Sequence, residues 1–229
     1  MYGHGVIFYL IIMKERICCI VCAGENKGLD LSLLANNFVI AADGGLKYLN
    51  NLNIQPNLIV GDFDSINQPE ISCEIVKLNE EKDETDTLVC IQEGIKRAYN
   101  KFYIFCGTGG RIDHTIANIQ SLIYLAQKNC VGFLFDGKQV ITAISSLMTL
   151  SFSSEASGGI SVFAINGNAS GVTITGLKYT LNSALLTAEF PLGVSNSFIG
   201  KECRIECENG NLAVVFPFNA LNDLNIDHK

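Results

Sequence analysis

From Arg16 to about Asp136 the chain alternates short apolar runs with stretches of helical periodicity, and most runs end in a loop bearing glycine or aspartate. That alternation is the signature of stacked βα units in a parallel sheet. Strands are expected over residues 17–23, 38–42, 58–60, 102–106 and 131–135, with helical stretches over 29–35, 46–52 and 115–127. Between them Leu88, Ile91, Ile95 and Ala98 recur at the spacing of one helical face, and Ile116, Ile119, Leu122 and Ile123 are expected to face inward. Beyond about Val140 helical periodicity stops. Alternating stretches over 160–165, 172–179, 186–190, 203–207 and 212–216 follow, bounded by Gly, Asn and Ser, and Asn209-Gly210 reads as a hairpin turn. The expected fold class is therefore α/β: an N-terminal parallel-sheet α/β/α domain over residues 13–139, then an all-β sandwich domain over 140–229.

Composition narrows the partners. The chain has 229 residues, 48% of them hydrophobic, with 16 basic against 23 acidic side chains and a net charge of −7. It can bury a real core, and without a basic run it offers no footprint for a nucleic acid. A small-molecule substrate is expected. The longest apolar run covers only residues 6–13, well short of the about 20 residues a spanning helix needs, so no membrane crossing is expected. Nor does it read as a secretory signal: residues 1–5 lack Lys and Arg, and Lys14-Glu15-Arg16 follows. Met13 is an alternative start, with residues 1–12 an upstream extension. Nine scattered cysteines fit reduced thiols in a cytoplasm. Cys19 and Cys22, three apart on a strand, should point to opposite faces rather than share a metal, and Cys203 and Cys207 have no second pair to complete a site.

The polar loops follow the apolar strands, where an open parallel sheet binds ligands. Asp62 and Asp64 are two apart beside Gly61; they form either a solvated acidic turn or an oxygen site for a hard ion, Mg²⁺ first. Asp83 and Asp86 can cap a helix, and the same helix end attracts phosphate, with Lys82 beside it. Gly107-Thr108-Gly109-Gly110 resembles a phosphate cradle without being a Walker loop, and Arg111 adds a planar donor fork. Asp113 either caps the next helix or, with His114, meets a ribose or a metal-bound water. Together these groups point to metal-assisted transfer from a nucleotide. Water could replace an alcohol acceptor, as in a phosphohydrolase, or the pocket could bind without turnover.

Asp43-Gly44-Gly45, Gly61-Asp62-Phe63-Asp64-Ser65, Asp83-x-Thr85-Asp86 and Gly109-Gly110-Arg111-x-Asp113-His114, in this order and spacing, resemble the thiamin pyrophosphokinase family. The likeness continues through Thr175-Gly176-Leu177-Lys178-Tyr179 and Gly193-Val194-Ser195-Asn196. It implies transfer of a diphosphate group from ATP to thiamin, with AMP released, Mg²⁺ required, and a homodimer whose active sites lie at the subunit boundary. By motif, Asp62, Asp64 and Asp86 would hold the metal, while Lys82, Thr85, Arg111 and His114 lie toward the nucleotide's phosphates. Asp43 and Asp113 would line the cleft, and either Asp86 or Asp113 would accept the hydroxyl proton. Ser195 and Asn196 would reach thiamin, in the neighbouring subunit's site. Many members carry Trp where this chain has Tyr179, a weaker stacking surface.

Overall fold

The computed structural model describes residues 15–62, 73–79 and 83–229. The expectations for residues 1–12, Met13, Asp64 and Lys82 lie outside these. Six strands run parallel: β1 Ile17–Val21, β2 Phe38–Ala42, β3 Leu58–Gly61, β4 Glu74–Lys77, β5 Lys101–Phe105 and β6 Val131–Asp136, in the spatial order β4-β3-β2-β1-β5-β6. The chain winds outward from β1 to β4, then returns to the other side of β1 with β5. The switch point therefore lies between β1 and β5, where a crevice forms at the carboxyl ends of the strands.

Among the described residues four helices connect these strands: α1 Leu31–Leu34, α2 Leu46–Asn51, α3 Asp86–Lys96 and α4 Ile112–Gln127. They cover both faces of the sheet. Cys19 Sγ donates to the Leu33 carbonyl of α1 at 3.2 Å, whereas its neighbour Cys18 faces α3, where a Cβ on Gly94 would come within 3.3 Å of its sulfur. Cys22 also faces α3, its sulfur 3.3 Å from Thr87 Oγ1, so Cys19 and Cys22 do point to opposite faces. All nine cysteines are free thiols. Ile116 corrects the expected inward face of α4: Leu122 and Ile123 are buried, but Ile116 is 54% exposed and Ile112 75%.

After Asp136 the sheet does not end. β7 Gln139–Ser145 pairs antiparallel with β6, and β14 Asn211–Pro217, β9 Gly159–Ala164 and β12 Asn196–Ser197 extend the same sheet to ten strands. The expected parallel-sheet layer is thus part of a larger mixed sheet. A second, five-stranded antiparallel sheet has the order β11-β10-β13-β8-β15, from β8 Met148–Phe152, β10 Ala169–Thr175, β11 Leu181–Leu186, β13 Cys203–Glu206 and β15 Leu224–His228. Phe152 of β8 meets Phe216 of β14 edge-on, with ring centroids 5.1 Å apart, which joins the two sheets. Buried side chains of both halves form one continuous core.

Two expectations for this half are corrected. The run expected over 186–190 is a strand over Leu181–Leu186, and Phe190 lies exposed beyond it. Asn209-Gly210 turns the chain, with Gly210 at φ 95°, but it makes no hairpin. β13 pairs with β10 and β8, while β14 pairs with β7 and β9. Both strands carry buried apolar residues, each within its own sheet.

Candidate active site

At the switch point the loops after β1 and β5 are laced together. Cys22, Gly24 and Glu25 N–H groups donate to the carbonyls of Phe105, Cys106 and Thr108 at 2.9, 2.8 and 3.0 Å, continuing the ladder beyond both strands. Gly24 has no room for a side chain, since a Cβ would lie 2.5 Å from the Cys106 carbonyl oxygen. Around this seam opens a cleft of about 500 Å³, lined among others by Gly24, Asp43, Asp86, Gly109, Arg111 and His114.

Of the acidic groups expected at the site, Asp43 and Asp86 line the cleft, whereas Asp62 does not. Asp43 follows β2 and opens a 3-10 turn, Asp43–Gly45, in the left-handed region at φ 46°. The end of β3 abuts it: a Cβ on Gly61 would lie 3.2 Å from the Asp43 Cα, which brings Asp62 next in chain to the same corner. Asp86 is the first residue of α3, where a negative charge also favours the helix end. Thr85 caps that helix, its hydroxyl accepting from the Leu88 N–H at 3.2 Å.

On the other wall, α4 begins at the glycine loop. Arg111 stands at the cap position and grips Asp113 through Nε and Nη2. The hydrogen bond from Arg111 holds the Asp113 carboxyl below the usual range, against a small cost of burial. Asp113 lies in the first helical turn, not at the cap, and is not among the cleft-lining residues; His114 is.

Several residues that shape the cleft gave little sign in the sequence. Asn118, buried on α4, donates to the Gly107 carbonyl at 2.7 Å and holds the glycine loop. The Tyr48 hydroxyl donates to the Gly24 carbonyl at 2.7 Å. Asp136, at the end of β6, accepts from Thr108 Oγ1 and from Lys27 Nζ, each at 2.5 Å. Burial pushes the Asp136 carboxyl up, but the hydrogen bonds from Lys27 and Thr108 outweigh it and hold the group below the usual range. A lone Asn in an apolar helix or a Tyr in a short one carries no spacing signal. The cleft thiols are inert, because burial pushes Cys22 up to about 12 and Cys106 to about 11.

The residues expected to meet the second substrate lie elsewhere in the chain. Tyr179 is 59% exposed. Asn196 is buried: Oδ1 accepts from the Tyr179 and Ser197 N–H groups at 3.0 and 2.9 Å, and Nδ2 donates to the Tyr179 carbonyl at 2.7 Å. Its amide clasps the Tyr179 loop to β12. Ser195, at φ 60°, donates its N–H to Ser161 Oγ at 3.1 Å. None of the three lines the cleft of its own chain.

Comparison with known proteins gives the class first: a transferase with a catalytic part and a vitamin-binding part. Residues 30–134 match the model described as thiamin pyrophosphokinase, catalytic domain, and residues 148–212 that of the vitamin B1 binding domain. The chain belongs to the thiamin pyrophosphokinase family. The thiamine pyrophosphokinase of Bacillus subtilis (strain 168) is 28% identical over 182 residues, covering 77% of this chain and 85% of that protein. A crystal structure of thiamine pyrophosphokinase from B. subtilis superposes with a TM-score of 0.78 at 25% identity, covering 88% of this chain and 99% of that one. The yeast thiamin pyrophosphokinase shares the fold at 18% identity, with a TM-score of 0.72 over 92% of this chain and 89% of that one.

Proposed function

We propose that this chain transfers a diphosphate group from ATP to the primary hydroxyl of thiamin, giving thiamin diphosphate and AMP, and that the switch-point cleft holds the ATP. The observation that carries the placement is the meeting of Asp43, Asp86, the glycine loop, Arg111 and His114 around one opening. Residues 13–139 then form the catalytic, ATP- and Mg²⁺-binding part, and residues 140–229 the thiamin-binding part.

The carboxylates suit a hard divalent ion. Asp62 and Asp86, with Asp64, are the candidate ligands for Mg²⁺. Phosphate oxygens of the substrate and waters would complete the shell. Bound there, the ion supplies positive charge against the phosphate oxygens. The chain's own part is positioning and electrostatics. Arg111, aligned by Asp113, offers its fork to a phosphate, and His114 adds a donor in the same first turn of α4. Thr85 acts by fixing the end of α3 beneath Asp86. Asp86 lines the cleft whereas Asp113 does not, so of the two it is the one placed to meet the thiamin hydroxyl.

Thiamin binding completes the site across two subunits. Ile112 and Ile116 stand uncovered beside the cleft, and Tyr179, Phe190, Leu192 and Val194 stand uncovered in the second half. In a homodimer one patch covers the other, which brings Tyr179 and Ser195 to the partner's cleft, with Asn196 holding Tyr179 in place. Sedimentation equilibrium should return a two-chain particle; a fully active single chain would rule the shared site out. No helix among the described residues is long and apolar enough to cross a membrane, and the free thiols suit a cytoplasmic setting.

Incubation with ATP, Mg²⁺ and thiamin should yield thiamin diphosphate and AMP in equal amounts. Free phosphate without thiamin diphosphate would favour a phosphohydrolase. Asp86→Asn should lower turnover by about 100-fold or more while leaving the fold intact; unchanged turnover would remove Asp86 from the catalytic machinery, and a wild-type chain that binds both substrates without forming product would be a pocket that binds without catalysis.

A further inference from the structure

The glycine loop already holds an anion, and it is one of the protein's own. Glu25 Oε1 accepts from the Gly110 N–H at 3.2 Å, and its carboxyl carbon lies where a Cβ on Gly109 would come within 2.5 Å. The missing side chain at 109 therefore makes room for this carboxylate. The Glu25 backbone is fixed to the same loop, its N–H donating to the Thr108 carbonyl at 3.0 Å, so the side chain is delivered rather than drifting there. Its charge is only loosely compensated: Lys27 Nζ stands 4.0 Å away and is engaged at 2.5 Å by Asp136. Glu25 lines the cleft beside Arg111 and His114.

We propose that Glu25 is a built-in competitor for the phosphate cradle, which substrate phosphates must displace, and that it thereby sets the affinity for ATP. The inference rests on reading the cleft as the nucleotide site. The physical basis is direct. A backbone N–H that donates to a carboxylate is withheld from a phosphate oxygen, and the two anions repel each other at this range. A carboxylate that serves only to brace the loop predicts the opposite result, since removing it would loosen the cradle and weaken phosphate binding.

The test titrates inorganic tripolyphosphate, without Mg²⁺, into the wild-type chain and into Glu25→Gln, followed by calorimetry. The side chain is exposed, so the variant should fold, which an unchanged thermal midpoint checks. Glu25→Gln should bind tripolyphosphate about three- to tenfold more tightly, with KM for ATP falling in the same proportion. Equal or weaker binding by the variant, or no binding by either protein, overturns the proposal. The two readings fail separately. Tighter binding in a protein that forms no thiamin diphosphate leaves the competitor standing and removes the function, whereas thiamin diphosphate formation with unaltered tripolyphosphate binding does the reverse.

Discussion

Asn118 sits inside a helix, buried, with one amide hydrogen bond to a loop carbonyl 2.7 Å away, and that bond decides whether the glycine loop keeps its shape. Asn118→Ala leaves the Gly107 carbonyl buried without its donor. The expected cost is about 1–3 kcal/mol, seen as a thermal midpoint lowered by several degrees, together with a raised KM for ATP. A normal KM would mean that the ladder to β1 and the Asp136 brace hold the loop without Asn118. Asp136 braces the same loop through Thr108 and ties it to Lys27. Its folded carboxyl titrates below the unfolded one, so the stability it contributes is present above the unfolded value of about 3.9 and is lost as pH falls through the folded value. Asp136→Asn should therefore flatten the acid limb of a stability-against-pH curve below about pH 4 and leave its slope at pH 7 unchanged. These two residues show what sequence reading misses. Asp43, Asp86, Arg111 and His114 were legible because strand ends carry ligands, whereas Asn118 and Asp136 act through backbone contacts that no spacing announces.

The elements were legible where burial is symmetric about a regular repeat. β1, β2, β3, β5 and β6 are continuous apolar runs because both their faces are covered. The helical faces were only partly legible: of the stripe expected on α3 Ile91 is buried, but Ala98 lies exposed beyond the helix at φ 61°, and Thr87, Cys90 and Gly94 supply the rest of the buried face, just as the inward face of α4 excludes Ile116. β4 carries Glu74-Ile75-Val76-Lys77 at the sheet edge, mostly exposed, and so lacks that signature. Asn209-Gly210 was legible as a turn but not as a link between two sheets, because a turn residue fixes local dihedrals and not the strand's partner. Gly45 belongs to this scale, since it lets α2 start directly after the Asp43–Gly45 turn, close against β1. A Cβ there would lie 1.9 Å from the Val21 carbonyl oxygen and 2.7 Å from its carbon, both backbone atoms that cannot rotate away. Gly45→Ala should accordingly cost about 3 kcal/mol or more by forcing β1 and α2 apart, measured by urea unfolding. A loss below about 1 kcal/mol would show that this corner yields readily.

At the scale of the molecule, the change in texture near residue 140 reads as a boundary, but the main chain crosses it within one sheet. β6 and β7 pair through Phe133–Thr142, Leu134–Ile141, Phe135–Val140 and Asp136–Gln139, and Thr142 Oγ1 donates to the Gly132 carbonyl at 2.8 Å in a buried setting. α4 packs on Gly132 through Leu122 and Leu125, and Ser145 Oγ of β7 donates to the Ala126 carbonyl of the same helix at 3.4 Å. A break at this seam would expose the apolar edge of β6 on one side and that of β7 on the other, together with the core that both share. Two units that bury this much across a common sheet should not melt independently. Calorimetry on the intact chain should give a single transition whose calorimetric and van't Hoff enthalpies agree, and a chain ending at residue 139 should aggregate because its last strand lies open. Two resolved transitions would mean that the sheet, though continuous in hydrogen bonding, is not continuous in cooperativity. ATP added to such a protein would then raise only the melting point of the half that carries the switch-point cleft, whereas the single-transition chain predicts that ligand bound there stabilises the distant β10–β13 layer by the same amount.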